Sequence, residues 1–171
     1  MTFSTTPIVS TVVEVNFGWV GLAGSTSGIR FLTLPRARQQ DCLEEIDSRL
    51  GPTLADPEAF GDLPTRLRGY FLGELSSFPD LLDLTGTTSF CRSAWLAAQA
   101  IPYGQTRSYA WVAEKLGRPG GARAVGQAMG ANSIPLIIPC HRVIGSNGHL
   151  RGFGGGLAMK ERLLRLEGAL R

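Results

Sequence analysis

The sequence predicts an α/β (α+β) protein in two parts: a small N-terminal domain of antiparallel sheet plus helix over residues 1–80, and a mostly helical winged helix-turn-helix domain over residues 86–171. Three observations carry this. The first third of the chain holds short runs rich in Val, Ile, Leu and aromatic residues, each bounded by Gly, Ser or Pro, which is the pattern of strands. The second half holds two short helical patterns around "GRPG", followed by an Asn-Gly pair at 147–148 that signals a tight turn. Charge divides the same way. Residues 1–85 carry six arginines against eleven acids, net −5, and residues 86–171 carry eleven Lys or Arg against three glutamates, net +8, in a chain whose total is only +3. A basic half suits a surface that faces nucleic acid; a merely solvated surface looks the same, so charge alone leaves both open.

The elements follow in order. "STVVEV", "GWVGLAG" and "IRFLTLP", with a turn at "STSG", read as a small antiparallel sheet. Residues 38–50 place Cys42, Leu43, Ile46 and Leu50 at helical spacing, and 64–75 do so with Leu67, Tyr70, Phe71 and Leu75 behind a Pro64 that suits a helix start. Cys42 on that stripe reads as a small core hydrophobe. "SSFPDLLDLTGTTS", residues 76–89, is a connection and the expected boundary. A helix then begins, with Ser89 available as its cap, Phe90, Ala94, Trp95 and Ala98 on one face, and Cys91 off it. Helical pieces at about 108–116 and 121–129 match a helix-turn-helix, although a plain helical hairpin has the same pattern. Pro135 and Pro139 bracket an apolar piece expected to be extended and to deliver Cys140 at its end. The Asn147-Gly148 turn then makes a wing, and "GFGGG" a loop whose backbone can approach a ligand. A last helix is expected to pack through Leu157, Leu163, Leu164 and Leu166.

Composition excludes several classes. At 171 residues and 43% hydrophobic content the chain is that of a globular protein of one ordinary domain or two small ones. The N-terminus lacks the basic start and apolar core of a signal peptide, and no run of about 18 apolar residues occurs, so the expected location is cytoplasmic, or nuclear in a eukaryote. Cys42, Cys91 and Cys140 are an odd number without a C-x-x-C pair, which fits free thiols better than a disulfide framework. With only His141 and His149 beside them, no metal site is expected.

One stretch carries chemistry: "IIPCHRVIG", residues 137–145. A free thiol is mostly protonated at neutral pH, with a pKa of about 8.5, so a nucleophilic cysteine needs a base or positive surroundings. His141 is the candidate base for Cys140. Neighbours in an extended chain point to opposite sides, so the imidazole would reach the sulfur through a turn or a water. Glu167, one of three acids in this half, is the best group to orient the histidine. This gives a Cys-His-Glu relay; a buried structural cysteine beside a surface histidine fits the spacing equally well.

"IPCHRVIG", preceded by "IPYGQTRSY" and "ARAVGQAMGAN" and followed by the glycine loop and "LLRLEGA", closely resembles the O6-alkylguanine-DNA alkyltransferases, also called methylated-DNA-protein-cysteine methyltransferases. The likeness covers residues 82–171; the first 80 resemble the family's variable, ribonuclease-H-like N-terminal domain in strand pattern only. The resemblance implies direct-reversal DNA repair: irreversible, single-turnover transfer of an alkyl group from O6 of guanine, and from O4 of thymine, to Cys140, after the base is flipped out through the minor groove. In that scheme His141 removes the thiol proton through water with Glu167 behind it, and Tyr109 donates to a guanine ring nitrogen as charge builds there. Asn132 ties the recognition helix to the active-site strand. Arg123 is the finger that fills the vacated stack, with Ser108, Ala122, Ala124 and Gly126 beside the DNA. Val143, Phe153, Gly154 and Met129 belong to the pocket; the Cys140 and Val143 carbonyls accept from the guanine amino group and the Gly154 N–H reaches O6. No cofactor and no membrane are implied. The partner is double-stranded DNA carrying O6-alkylguanine, bound by a monomer, with cooperative binding along DNA left open.

Two departures bear on the pocket: Phe153 stands where a tyrosine is usual, and Gly154 where a serine is commoner. "FCRSAW" also departs from the usual glutamine before the arginine. Two rival readings share parts of the pattern. A lesion-binding protein without a nucleophile would share Arg123 but not Cys140, and a Cys-His hydrolase of acyl groups would give no reason for Arg123 or for the charge asymmetry.

Overall fold

The structure, a computed structural model, describes residues 6–74 and 77–170. The chain forms two compact units, one ending at Leu84 and the next beginning at Thr85.

In the first unit β1 (Val9–Val15), β2 (Gly18–Ser25) and β3 (Gly28–Leu32) form an antiparallel meander. A two-residue β4 (Leu54–Ala55) adds parallel to β1, so the order is β3-β2-β1-β4 and the sheet is mixed rather than wholly antiparallel. Helix α1 (Gln39–Leu50) lies on β2 through buried Cys42 and Ile46. The Cys42 thiol donates to the Trp19 carbonyl at 3.2 Å and accepts from Thr33 Oγ1 at 3.4 Å, so its polar needs are met inside the core. Helix α2 (Leu63–Phe71) buries Leu67, Tyr70 and Phe71 and stops before Gly73, whose φ of +84° no helix continues through. Leu75, expected on the same stripe, lies outside the described residues.

The second unit opens with α3 (Ser89–Gln99), capped not by Ser89 but by Thr88, whose Oγ1 accepts from the Cys91 N–H. Ala94, Trp95 and Ala98 are buried, and the Trp95 indole N–H donates to the Ala128 carbonyl at 2.8 Å. Strand β5 (Arg107–Ser108) leads directly into α4 (Tyr109–Lys115), and a turn at Arg118–Gly121 leads into α5 (Ala122–Gly130). Strand β6 (Val143–Ile144) pairs parallel with β5, Arg107 facing Val143 and Ser108 facing Ile144. This short ladder fixes the fold's chemistry, because Tyr109 follows one strand and the Cys140–Arg142 3₁₀ turn precedes the other.

Three further expectations change. Residues 135–139 are not extended: Pro135 and Ile138 bridge one another around a turn, and Leu136 sits at φ +71°, a left-handed conformation costing an L-residue about 1–2 kcal/mol. Leu136 is only 2% exposed, so its buried side chain holds the turn in place. The wing is a turn rather than a strand pair. Gly145 N–H donates to the His149 carbonyl at 2.9 Å, but among the described residues β6 pairs only with β5. In α6 (Leu157–Leu166), Leu163 and Leu164 are buried while Leu157 is 49% exposed; the fully buried residue one turn on is Lys160.

The packing of α1 on β2 leaves no room for a side chain at Gly21. A Cβ there would meet Ile46 Cδ1 at 2.9 Å and Cys42 Cβ at 3.0 Å, both inside van der Waals contact. Gly21→Ala should therefore destabilise this unit by about 1–3 kcal/mol through overpacking, seen as a lower midpoint in urea unfolding.

Candidate active site

Cys140 heads a 3₁₀ turn, Cys140–Arg142, closed by the Arg142 N–H donating to the Pro139 carbonyl at 2.9 Å. At about three residues per turn, neighbouring side chains diverge by about 120° rather than 180°. The obstacle that an extended chain would place between the thiol and its neighbour His141 is thereby removed. Cys140 is 5% exposed and His141 fully buried, so the histidine is not a surface residue.

Asn132 follows α5 directly, and its side chain joins that helix to the cysteine turn. Its Oδ1 accepts from the Ile134 N–H at 2.9 Å, while Nδ2 donates to the Ile138 carbonyl at 2.9 Å and to Cys140 Sγ at 3.1 Å. An amide donor stabilises a thiolate, and Lys160 adds positive charge. Burial outweighs both and holds the thiol above its ordinary pKa. The resting sulfur is therefore a thiol.

Glu167 gathers the opposite side. Its carboxylate accepts from His141 Nε2 at 2.7 Å, from Arg142 Nε at 2.8 Å and Nη2 at 3.1 Å, and from the Gly104 N–H at 3.2 Å. The third arm of Arg142, Nη1, donates to the Ile101 carbonyl at 2.7 Å. Burial alone would raise the acid's pKa, but the hydrogen bonds and charges of His141 and Arg142 prevail and hold it at about 2. An ionised carboxylate only accepts, so His141 Nε2 must carry a hydrogen and the lone pair resides on Nδ1, itself shielded from solvent. Burial lowers the histidine's pKa more than Glu167 raises it, leaving the ring neutral at pH 7. A neutral imidazole whose Nδ1 is basic stands next in sequence to a protonated thiol.

Tyr109 begins α4, whose N-cap is Ser108: its Oγ accepts from the Trp111 N–H at 3.0 Å. Lys160 donates through Nζ to the Val143 carbonyl at 2.6 Å, to the Arg151 carbonyl at 3.0 Å and to the Tyr109 hydroxyl at 3.2 Å. Those bonds use all three ammonium hydrogens, so the Tyr109 oxygen accepts from Lys160 and its own hydrogen is left to donate elsewhere. Burial lowers the Lys160 pKa to about 8 and raises that of Tyr109, so at pH 7 the pair is mainly ammonium and neutral phenol.

Tyr109 lines a cavity of about 630 Å³, with Ala122, Arg123 and Gly126 of α5 on one side and Gly145, Ser146 and Arg151 on the other. Arg123 and Ala124 are exposed near the start of α5. Four residues expected at the pocket are not among these walls. Val143 and Met129 are packed in the core, Phe153 is half-buried, and Gly154 sits exposed in the glycine loop. Sequence reasoning missed Arg142 and Lys160. The available signals were an arginine directly after the Cys-His pair and a lysine within the apolar stripe of α6. Among the described residues no group of three His, Cys, Asp or Glu side chains could hold a metal ion, and no helix is long and apolar enough to cross a membrane.

The family described as 6-O-methylguanine DNA methyltransferase, DNA binding domain, matches residues 89–169. A methylated-DNA-protein-cysteine methyltransferase of Methanosarcina acetivorans is 40% identical over 158 residues, covering 92% of this chain and 97% of that protein. One from Mycolicibacterium paratuberculosis is 53% identical over 120 residues, 70% of this chain and 72% of its own. Among solved structures, Mycobacterium tuberculosis OGT in complex with DNA is similar with a TM-score of 0.79 at 41% identity, covering 94% of this chain and 93% of that one.

Glu167→Gln tests the buried hub. It leaves the Arg142 charge without its carboxylate and should cost about 3–5 kcal/mol of stability at pH 7. The native carboxyl binds its proton at about 2 against an ordinary value of 4.5, so its contribution is full above pH 4.5 and is lost as pH falls toward 2. Urea unfolding between pH 7 and 3 should show that acid-dependent loss in the parent and a flatter profile in Glu167→Gln.

Proposed function

The chain belongs to the methylated-DNA-protein-cysteine methyltransferase family, and from that premise we propose a mechanism in which Cys140 takes the alkyl group from O6 of guanine in double-stranded DNA and keeps it. The observation that carries the reading is the protonated Cys140 thiol beside a neutral His141 whose far nitrogen is locked to an ionised Glu167. The thiol proton passes to His141 Nδ1, through a water, and the imidazolium so formed is stabilised by the carboxylate behind it. Sulfur then attacks the alkyl carbon in line: the S–C bond forms as the C–O6 bond breaks, and the electron pair leaves with the guanine. Tyr109, its hydroxyl turned by Lys160, donates to a ring nitrogen of the departing base, which takes up one proton overall. The thioether has no easy route back, so each molecule acts once. O4-alkylthymine presents the same alkyl–oxygen bond and is a second substrate.

The second unit, from Thr85 onward, supplies both the DNA surface and the acceptor, and the first supports it. Its net charge of +8 over residues 86–171 suits phosphate contacts that carry no sequence information. Helix α5 enters the minor groove, where the degenerate base pattern suits a protein that must scan for damage, and Arg123 occupies the place of the extruded base. Ser108, Ala122, Ala124 and Gly126 lie against the DNA, Val143 and Met129 back the base site from the core, and Phe153 and Gly154 adjoin it in the loop after Gly152. The protein acts as a monomer in solution, in the compartment that holds the chromosome: the cytoplasm, in a cell without a nucleus.

Two outcomes check this. Incubation with a duplex carrying O6-methylguanine should add one methyl group to the intact mass, mapped to Cys140 and ending at one per molecule, while Cys140→Ser adds none; tight binding without mass gain would leave only a lesion sensor. Arg123→Ala should slow transfer from duplex DNA by about tenfold or more and leave reaction with free O6-methylguanine base unchanged, because only the duplex requires a base to be held out at a cost of a few kcal/mol.

A further inference from the structure

Only three acids serve the eleven cations of residues 86–171. Glu167 is taken by Arg142 and His141, and Glu161 by Arg165 at 2.8 Å. Other cations rest on rings: Arg107 and Lys115 flank Trp111, and Arg118 lies over Phe90. Two arginines, Arg123 and Arg151, line the cavity at Tyr109, and neither has an acidic partner among the described residues. Arg123 belongs to the helix already discussed. Arg151 is assigned nothing, and its place is unusual.

The Arg151 backbone and side chain are separately seated. Its carbonyl accepts from buried Lys160 at 3.0 Å, which fixes the residue beside Tyr109 whatever its side chain. The aliphatic stem passes beside Gly145: a Cβ built on that glycine would lie 3.6 Å from Arg151 Cγ, at ordinary van der Waals contact. Arg151 is exposed and lines the same cavity as Ala122, Arg123 and Gly126 of α5, and its charge is felt at the Tyr109 hydroxyl. Cys140 is only 5% exposed and is not a wall of this cavity, so the reacting end of a bound base lies deeper than the rim. A nucleotide entering base-first leaves its sugar-phosphate backbone at the rim, because that charged chain must continue into the duplex.

We propose that Arg151 is a phosphate clamp for the extruded nucleotide, binding a backbone phosphate adjacent to the flipped base and so holding that base in the cavity. The proposal rests on the alkyltransferase reading of this site. A guanidinium matches a phosphate with two parallel hydrogen bonds, and a charge-assisted contact of this kind is strong enough to bias extrusion without reading sequence. Arg151 is a positioning residue: it acts on the backbone and leaves the chemistry to Cys140.

The test uses the full chain, as parent and as Arg151→Ala, against duplexes carrying O6-methylguanine in which the phosphate on the 5′ or the 3′ side of the lesion is replaced by an uncharged methylphosphonate. Binding affinity and single-turnover methyl transfer to Cys140 are both measured, with free O6-methylguanine base as the control. One neutralised phosphate should weaken the parent by about tenfold and leave Arg151→Ala unaffected, since the variant has already lost that contact. The variant's salt dependence should be shallower by about one phosphate contact, and its rate with free base should fall far less than its rate with the duplex. Equal losses for parent and variant at both phosphates would overturn the clamp, as would a variant slowed equally on free base. The parent's own methyl gain at Cys140 reports separately on the alkyltransferase reading, and binding to the methylphosphonate duplexes tests the clamp even where no methyl is transferred.

Discussion

The site depends on one buried carboxylate. Glu167 sits at the C-terminal end of α6, yet it accepts from His141 and Arg142 of the cysteine turn and from Gly104 in the segment that leads to β5. Removing a lone carboxylate from water costs far more than one hydrogen bond returns, and a group left alone there would take up a proton. Arg142 prevents this. Its fork binds both carboxylate oxygens while its remaining arm caps the Ile101 carbonyl, so the acid stays ionised in a place where burial by itself would neutralise it. An ionised Glu167 then dictates which nitrogen of His141 bears hydrogen. The tautomer that can act as a base toward sulfur follows from a salt bridge that touches neither the sulfur nor the substrate.

The reactive groups are consequently held in their uncharged forms. Burial keeps the Cys140 thiol protonated and His141 neutral. This suits a protein that is consumed by its reaction. A permanent thiolate would be exposed to oxidation and to stray electrophiles, whereas a thiol activated only in the occupied site stays intact until a substrate arrives. Lys160 plays a matching part at the other side, since its three hydrogen bonds orient the phenol of Tyr109 and bring a positive charge near the sulfur without a direct contact.

Much of this was legible in the chain. The strands, both helices of the helix-turn-helix and the Cys140–His141–Glu167 grouping follow from periodicity, glycine placement and the scarcity of acids in the second half. What escaped was set by tertiary packing. Residues 135–139 read as extended because prolines bias their neighbours that way, but Leu136 adopts a left-handed conformation to bury its side chain. The wing read as a hairpin because Asn-Gly specifies a turn but cannot say whether the strands beside it find each other; β6 pairs with β5 instead. Lys160 was invisible as a buried residue because lysine is ordinarily solvated, and only the convergence of two carbonyls and a phenol makes its burial tolerable.

The loop before α6 holds more glycine than its packing demands. A side chain at Gly152 or Gly154 would meet open space, and neither has a positive φ; Gly156, at φ +83°, is the one glycine of this loop that the backbone conformation requires. A serine at position 154 would therefore fit without steric conflict. A run of glycines that packing does not require carries extra conformational freedom, and any ligand that orders the loop must offset its loss. The cavity wall at Arg151 is firmer, because Lys160 donates to the Arg151 carbonyl and pins its backbone. Order beside the cavity thus comes from Lys160 and the Arg151 backbone, whereas the loop at Phe153 and Gly154 is closed by a turn in which the Gly156 N–H donates to the Phe153 carbonyl at 2.9 Å.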